Sequence, residues 1–258
     1  MKLGIEIEAC YNKDLRSVTV GDYHGSTTTP GLTGWTCQRD GSLSYGDRGS
    51  CFENGGLCEF VSDVARSEAD FRRKIQVFKD FFQIPGKELK DVLRFNNSMG
   101  CHIHVAHDDV SFRFRNQAHH SVFNKVRNDH FALIDQSTVL PASVKTLIKQ
   151  HYNRQYAKRF EKEHMQANDR HVEFNFQSET QNKGLELRGL NMLGVHTWAQ
   201  FDEMIEIFLK TLAQLIKHAT KWNVAEEISI QPTILSRQNT TITLSRFGER
   251  TQTIEVEL

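Results

Sequence analysis

The stretch that decides the fold is NNSMGCHIHVAHDD, residues 96–109. His102 and His104 alternate with Cys101, Ile103 and Val105 after a turn-like run of Asn, Ser, Met and Gly. Period-two alternation predicts a β-strand with one apolar face and sets both imidazoles on the other. Three more stretches read the same way. In GIEIEA, Ile5 and Ile7 oppose Glu6 and Glu8. In LCEFVS, Glu59 opposes Cys58 and Phe60, and in GLELRG, Glu186 and Arg188 oppose Leu185 and Leu187. Four short predicted strands therefore each have a greasy side and a side bearing carboxylate or imidazole.

An antiparallel sheet with one wet face accounts for any one of these strands. Wet faces ordinarily carry Thr, Lys, Gln and Ser, however, and here the choice narrows to Glu, His and one Arg. If the four strands are neighbours, Glu6, Glu8, Glu59 and Glu186 crowd together. Like charges at roughly 4–6 Å raise one another's pKa and oppose folding unless something cancels them. Two divalent cations would neutralise the four carboxylates. Oxygen donors with an imidazole suit Mg²⁺ or Mn²⁺ better than a thiolate-seeking metal. His102, nearest the glycine turn, is the expected ligand, and His104 a second ligand or a partner for a phosphate.

Around these strands the pattern predicts an α+β fold with a mixed or antiparallel sheet, because strands and helices do not alternate strictly. Residues 21–56 are rich in Gly, Ser, Thr and Asp and read as a long loop region holding one short strand, GWTCQRD. It reads equally as a mobile cover for a site or as a surface insertion. Phe71, Ile75, Phe78 and Phe82 recur at helical spacing between Ser67 and Pro85. Residues 112–164 read as mostly helical with a break near VLPAS. RHVEFNFQ and KGLELRGLN read as a strand pair, and residues 198–221 as an amphipathic helix. The division expected is a catalytic domain over 1–225 and a C-terminal β-hairpin extension over 226–258, turning at Phe247, Gly248 and Glu249.

The 258 residues are 38% hydrophobic and 25% charged with zero formal net charge, which argues against wholesale binding to nucleic acid or anionic lipid. RFRNQ and HYNRQYAKRFEK are locally basic; the first reads as a solvated helix face, the second as a possible anion contact. No apolar run approaches a membrane span, and the opening MKLGIEIEACYNK lacks the h-region of a secretory leader. The five cysteines form no CxxC pair, so free thiols in a reducing cytoplasm are expected, and a zinc site from Cys37, Cys51 and Cys58 has no recognisable spacing.

GIEIE (4–8), the aspartate in GWTCQRDGSL (34–43), CEFVS (58–62), NNSMGCHIHV (96–105), RHVEFNF (170–176) and GLELRGLN (184–191) stand in this order. Together they resemble the amidoligase family, which belongs with the carboxylate–amine ligases of the glutamine synthetase and glutamate–cysteine ligase superfamily. The resemblance runs from Gly4 to Asn191. It implies a curved, mainly antiparallel sheet, glutamine synthetase-like and backed by helices, whose concave face holds ATP and two or more divalent cations. It further implies that Glu6, Glu8, Glu59, His102 and Glu186 are metal ligands. Arg188 would contact the transferring phosphoryl group, and Asp40, in a D-x-S-like element, would be a metal or amine-site residue. Arg154 sits where relatives carry an Arg-Tyr pair, with Gln155 intervening before Tyr156. Arg170 and Asn175 match an Arg…Asn strand that contacts phosphate and supports the substrate pocket, and His104 stands near the nucleotide.

No GxxxxGK[ST] loop is present, so cations and arginines would have to hold phosphates. The expected activity is ATP-dependent amide formation through an acyl phosphate, joining a carboxylate substrate to an amine substrate that is a small molecule, a peptide or a protein side chain. Two alternatives stand beside it. One is a metal-dependent hydrolase or cupin-like enzyme using His102 and His104; the other is a non-catalytic nucleotide-binding module.

Overall fold

The computed structural model describes residues 1–22, 27–106, 117–152, 174–175, 185–227, 240–244 and 252–256. The long first strand, β1 (Lys2–Asn12), is the spine of the fold. It pairs antiparallel with β3 (Gly55–Ser62) on one side. On the other side it pairs with β5 (Cys101–Ala106) along its first half and with β4 (Leu93–Arg94) near its end. β2 (Trp35–Gln38) extends the sheet beyond β3, while β7 (Leu185–Leu187) and β6 (Phe174–Asn175) extend it beyond β5. The order is β2-β3-β1-β5-β7-β6 with every pairing antiparallel. Among the described residues the two ends do not pair, so the sheet is open.

One face of the sheet is the core. Leu3, Ile5, Ile7, Phe60, Ile103, Val105, Leu185 and Leu187 are all buried on it. Helix α1 (Glu68–Phe82) starts where predicted, its amide at Asp70 donating to the Ser67 side chain (3.1 Å). Its predicted stripe, Phe71, Ile75, Phe78 and Phe82, is wholly buried. Phe78 stacks among Trp35, Phe60, Phe82 and Phe201, with ring centroids 4.9 to 5.9 Å apart. Helix α3 (Gln117–Gln136) packs along α5 (Trp198–Glu227), and His130 Nδ1 meets Thr211 Oγ1 at 2.8 Å between them. Burial pushes the His130 imidazole down to about 3, so it is neutral and structural. Helix α4 (Ala142–His151) begins after Pro141, the predicted break. No helix among the described residues is long and apolar enough to cross a membrane.

Two elements had no sequence signal, α2 (Leu89–Val92) and β4, which join the end of α1 to the turn before β5. The C-terminal strands β8 (Thr240–Leu244) and β9 (Gln252–Val256) pair antiparallel as a separate hairpin. Its predicted turn lies outside the described residues.

The cysteines correct the sequence reading. Cys10 and Cys51 form a disulfide with Cα atoms 5.7 Å apart, and only Cys37, Cys58 and Cys101 are free, all of them buried. A zinc site using Cys51 is therefore ruled out, because that sulfur is already bonded. The disulfide and Met99 form a small apolar cluster with Leu43, Phe52 and Leu57. Residues 40–52, within the loop region 21–56, are thus fastened over the end of β1. Arg94 adds two ties, donating to the carbonyls of Gly49 (3.0 Å) and Cys51 (3.1 Å).

Candidate metal centre

The second face of the sheet carries the acids and imidazoles, and strand register decides who meets whom. Glu8 stands directly opposite Glu59 across β1–β3, and Gln38 opposite Glu59 across β2–β3. Glu6 stands opposite His102 across β1–β5. His104 stands opposite Glu186 across β5–β7, and Asn175 opposite Glu186 across β6–β7. The row thus crosses all six strands of the sheet path, and Asp40 reaches it from just beyond the end of β2.

Glu6 is the centre of the cluster. Its two oxygens meet His104 Nε2 at 2.9 Å and His102 Nδ1 at 3.2 Å. Burial pushes this carboxyl up, but the hydrogen bonds and charge of the two imidazoles outweigh burial and hold it well below the ordinary carboxylate range. His102 also lies 3.6 Å from Glu186 and 3.9 Å from Glu8. Glu186 accepts from Asn175 Nδ2 and from Arg188 Nη1, each at 2.6 Å. Glu8 accepts from the Gly100 amide, which fixes it to the turn that opens β5. Asp40 accepts from the Ser42 amide at 2.7 Å.

Glu59 behaves differently. Burial first, then the charges of Glu6, Glu8 and Asp40, push its carboxyl up to about 9 despite a 2.5 Å hydrogen bond from Gln38. A carboxyl held neutral by burial and by its acidic neighbours is what a cation would release. Three overlapping groups can each surround one ion: Glu6, His104 and Glu186; Glu6, Glu59 and His102; Glu8, Asp40 and Glu59. Within each group one donor atom per residue lies within 4.8 Å of the others. Glu6 and Glu59 are each shared by two groups. The donors are carboxylate oxygens and imidazole nitrogens with no thiolate, a set that fits Mg²⁺ or Mn²⁺.

All the predicted site residues that are described, Glu6, Glu8, Asp40, Glu59, His102, His104, Asn175, Glu186 and Arg188, come together on this face. Arg154 and Arg170 lie outside the described residues. Glu8, Asp40 and Glu59 form one cluster, whereas Glu6, His102 and Glu186 are divided between the other two, with His104 beside Glu186. Sequence reasoning missed Gln38 and the Gly100 amide, which orient Glu59 and Glu8. Gln38 shares the period of Asp40 and so had a signal; a backbone amide has none. No family model, curated protein or solved structure matches this chain.

Proposed function

We propose that the protein is an ATP- and divalent-cation-dependent ligase that joins a carboxylate to an amine, with a sheet of the glutamine synthetase kind. The observation that carries this reading is the pairing of Arg188 with Glu186 at 2.6 Å, at one end of a row of cation-type ligands. A guanidinium fixed beside metal carboxylates is suited to phosphoryl transfer, where positioning and charge stabilisation do most of the catalysis.

Glu6, Glu8, Asp40, Glu59, His102, His104 and Glu186 would hold the cations, which when bound neutralise charge on phosphate oxygens. Arg188 offers donors to the equatorial oxygens of the phosphoryl group as a carboxylate oxygen displaces ADP from ATP. The amine nitrogen then attacks the acyl phosphate, the C–N bond forms and inorganic phosphate leaves. The amine must first lose a proton, and Asp40, half-buried at the edge of the cluster, would accept it on the carboxylate oxygen not given to a cation. A hydrolase that activates water on the same cations against an ester or amide would use the same ligands but would give Arg188 no phosphoryl group to meet.

The test is Mg²⁺-dependent ADP release in the presence of mixed carboxylates and amines. Wild type should release ADP, and Glu186→Gln should abolish release while keeping the fold by circular dichroism. Undiminished release by that variant, or hydrolytic activity with no ADP formed from ATP, would remove the ligase reading.

A further inference from the structure

A cavity of about 560 Å³ lies between loop 44–50, the α2–β4 segment, the turn at 95–98 and residues 193–196. It shares no lining residue with the carboxylate–imidazole cluster. Its volume is in the range of small-molecule sites. Lys90, Arg94 and His196 bring positive or protonatable groups to it, and Asp47 is the one carboxylate among its lining residues. Neither Lys90 nor Asp47 has an ion-pair partner among the described residues. Phe95, Leu147 and Leu193 supply an apolar portion of the lining.

The walls are built before any ligand arrives. The Arg94 guanidinium lies over the Phe52 ring, 4.2 Å from its centroid, and donates to the carbonyls of Gly49 and Cys51 in the loop that the disulfide tethers. Asn96 Nδ2 donates to the Ser44 carbonyl at 2.8 Å, and the Ser98 hydroxyl does so at 3.2 Å. Gly46 has φ +65°, and a Cβ there would come 3.0 Å from Asn96 Nδ2, so a side chain at this bend would be strained and would press on Asn96. A preformed wall reduces the ordering cost of binding.

We propose that this cavity binds a free α-amino acid: carboxylate toward Lys90 and His196, ammonium toward Asp47, side chain against Leu147 and Leu193. A ligand with one charge of each sign answers an unpaired cation and an unpaired anion in one partly apolar cavity; a simple anion or a simple amine would answer only one of them. The cavity and the acidic cluster share structure. Loop 40–50 runs from Asp40 to Asp47, and the turn that carries Asn96 and Ser98 ends at Gly100, which donates to Glu8. That the bound amino acid is the amine substrate rests on the ligase reading; that it binds does not.

The experiment is saturation-transfer NMR on the metal-free full chain with the set of twenty L-amino acids, followed by titration of those that respond. At least one should bind wild type. Lys90→Glu and Asp47→Lys, both at exposed positions, should each weaken it about tenfold or more, the size expected for one charge-assisted contact. Glu186→Gln should bind it as wild type does. The proposal is overturned if no amino acid responds, or if both cavity variants bind like wild type. Binding that persists in a wild-type protein unable to form ADP would support the cavity assignment while removing the ligase reading.

Discussion

Glu8 and Glu59 stand directly opposite each other on neighbouring antiparallel strands, β1 and β3. Like charges in that relationship destabilise a sheet. Asp40 joins them, and burial first, then the charges of Glu6, Glu8 and Asp40, push the Glu59 carboxyl up to about 9. The arrangement costs stability in the absence of a counter-charge, which makes it measurable.

The metal-free protein should lose stability as pH rises. Glu59 has a folded value of about 9 against an ordinary value of 4.5, so its neutral form is favoured in the folded state. The stabilisation associated with that proton is full below the lower value and is lost as pH rises towards the upper one. Melting temperature without metal should therefore fall between about pH 5 and pH 9, and Glu59→Gln should flatten the fall. Adding Mn²⁺ should reverse it in wild type. A flat wild-type profile would show that burial and the acidic neighbours do not raise the Glu59 carboxyl.

Arg188→Lys should cost about 100-fold in the rate of ADP formation, the scale seen for losing one preorganised donor. Lysine keeps a charge but not the guanidinium fork that pairs with Glu186 and reaches a phosphoryl oxygen together. Steady-state kinetics should place the loss in kcat more than in KM. Unchanged kcat would remove Arg188 from the chemistry.

Reduction of the Cys10–Cys51 bond should weaken the fold and free the loop that brings Asp40 to the site. The linked residues are 41 apart in sequence, and the loop-entropy relation gives about 4 kcal/mol for a ring of that size. Denaturant melts of oxidised, reduced and Cys51→Ser protein should show that order of loss, with Cys51→Ser insensitive to dithiothreitol. Identical melts with and without reductant would contradict the bond's role.

Phe78→Ala should destabilise by about 3–5 kcal/mol, because the ring sits at the junction of Trp35, Phe60, Phe82 and Phe201. Ser67→Ala should cost only about 1 kcal/mol, the loss of one helix cap. Urea melts rank the two. A reversed ranking would mean that α1 is held by its cap and not by its buried stripe.

Faces were legible in the sequence because period two fixes the side on which a residue lies. Glu6, Glu8, Glu59, His102, His104 and Glu186 could be assigned to a polar face with no structure in hand. Neighbour relations were not legible, since register is set by the whole sheet: that Glu59 meets Glu8, and His104 meets Glu186, needed the pairings themselves. The helix α1 announced itself through Ser67 and four phenylalanine or isoleucine positions at helical spacing. The segment Leu89–Arg94 did not, because a four-residue helix and a two-residue strand are too short to carry a period. The disulfide was equally hidden, for its partners are joined only by the way loop 40–52 folds back onto β1.

The claim on which the rest depends is that this polar face holds divalent cations, and Mn²⁺ titration followed by electron paramagnetic resonance tests it most directly. Wild type should remove the free-ion signal at a stoichiometry of two or more per chain, and Glu59→Gln, which alters a carboxylate shared by two of the groups, should lower that number. A free-ion signal that wild-type protein leaves unchanged would contradict the account.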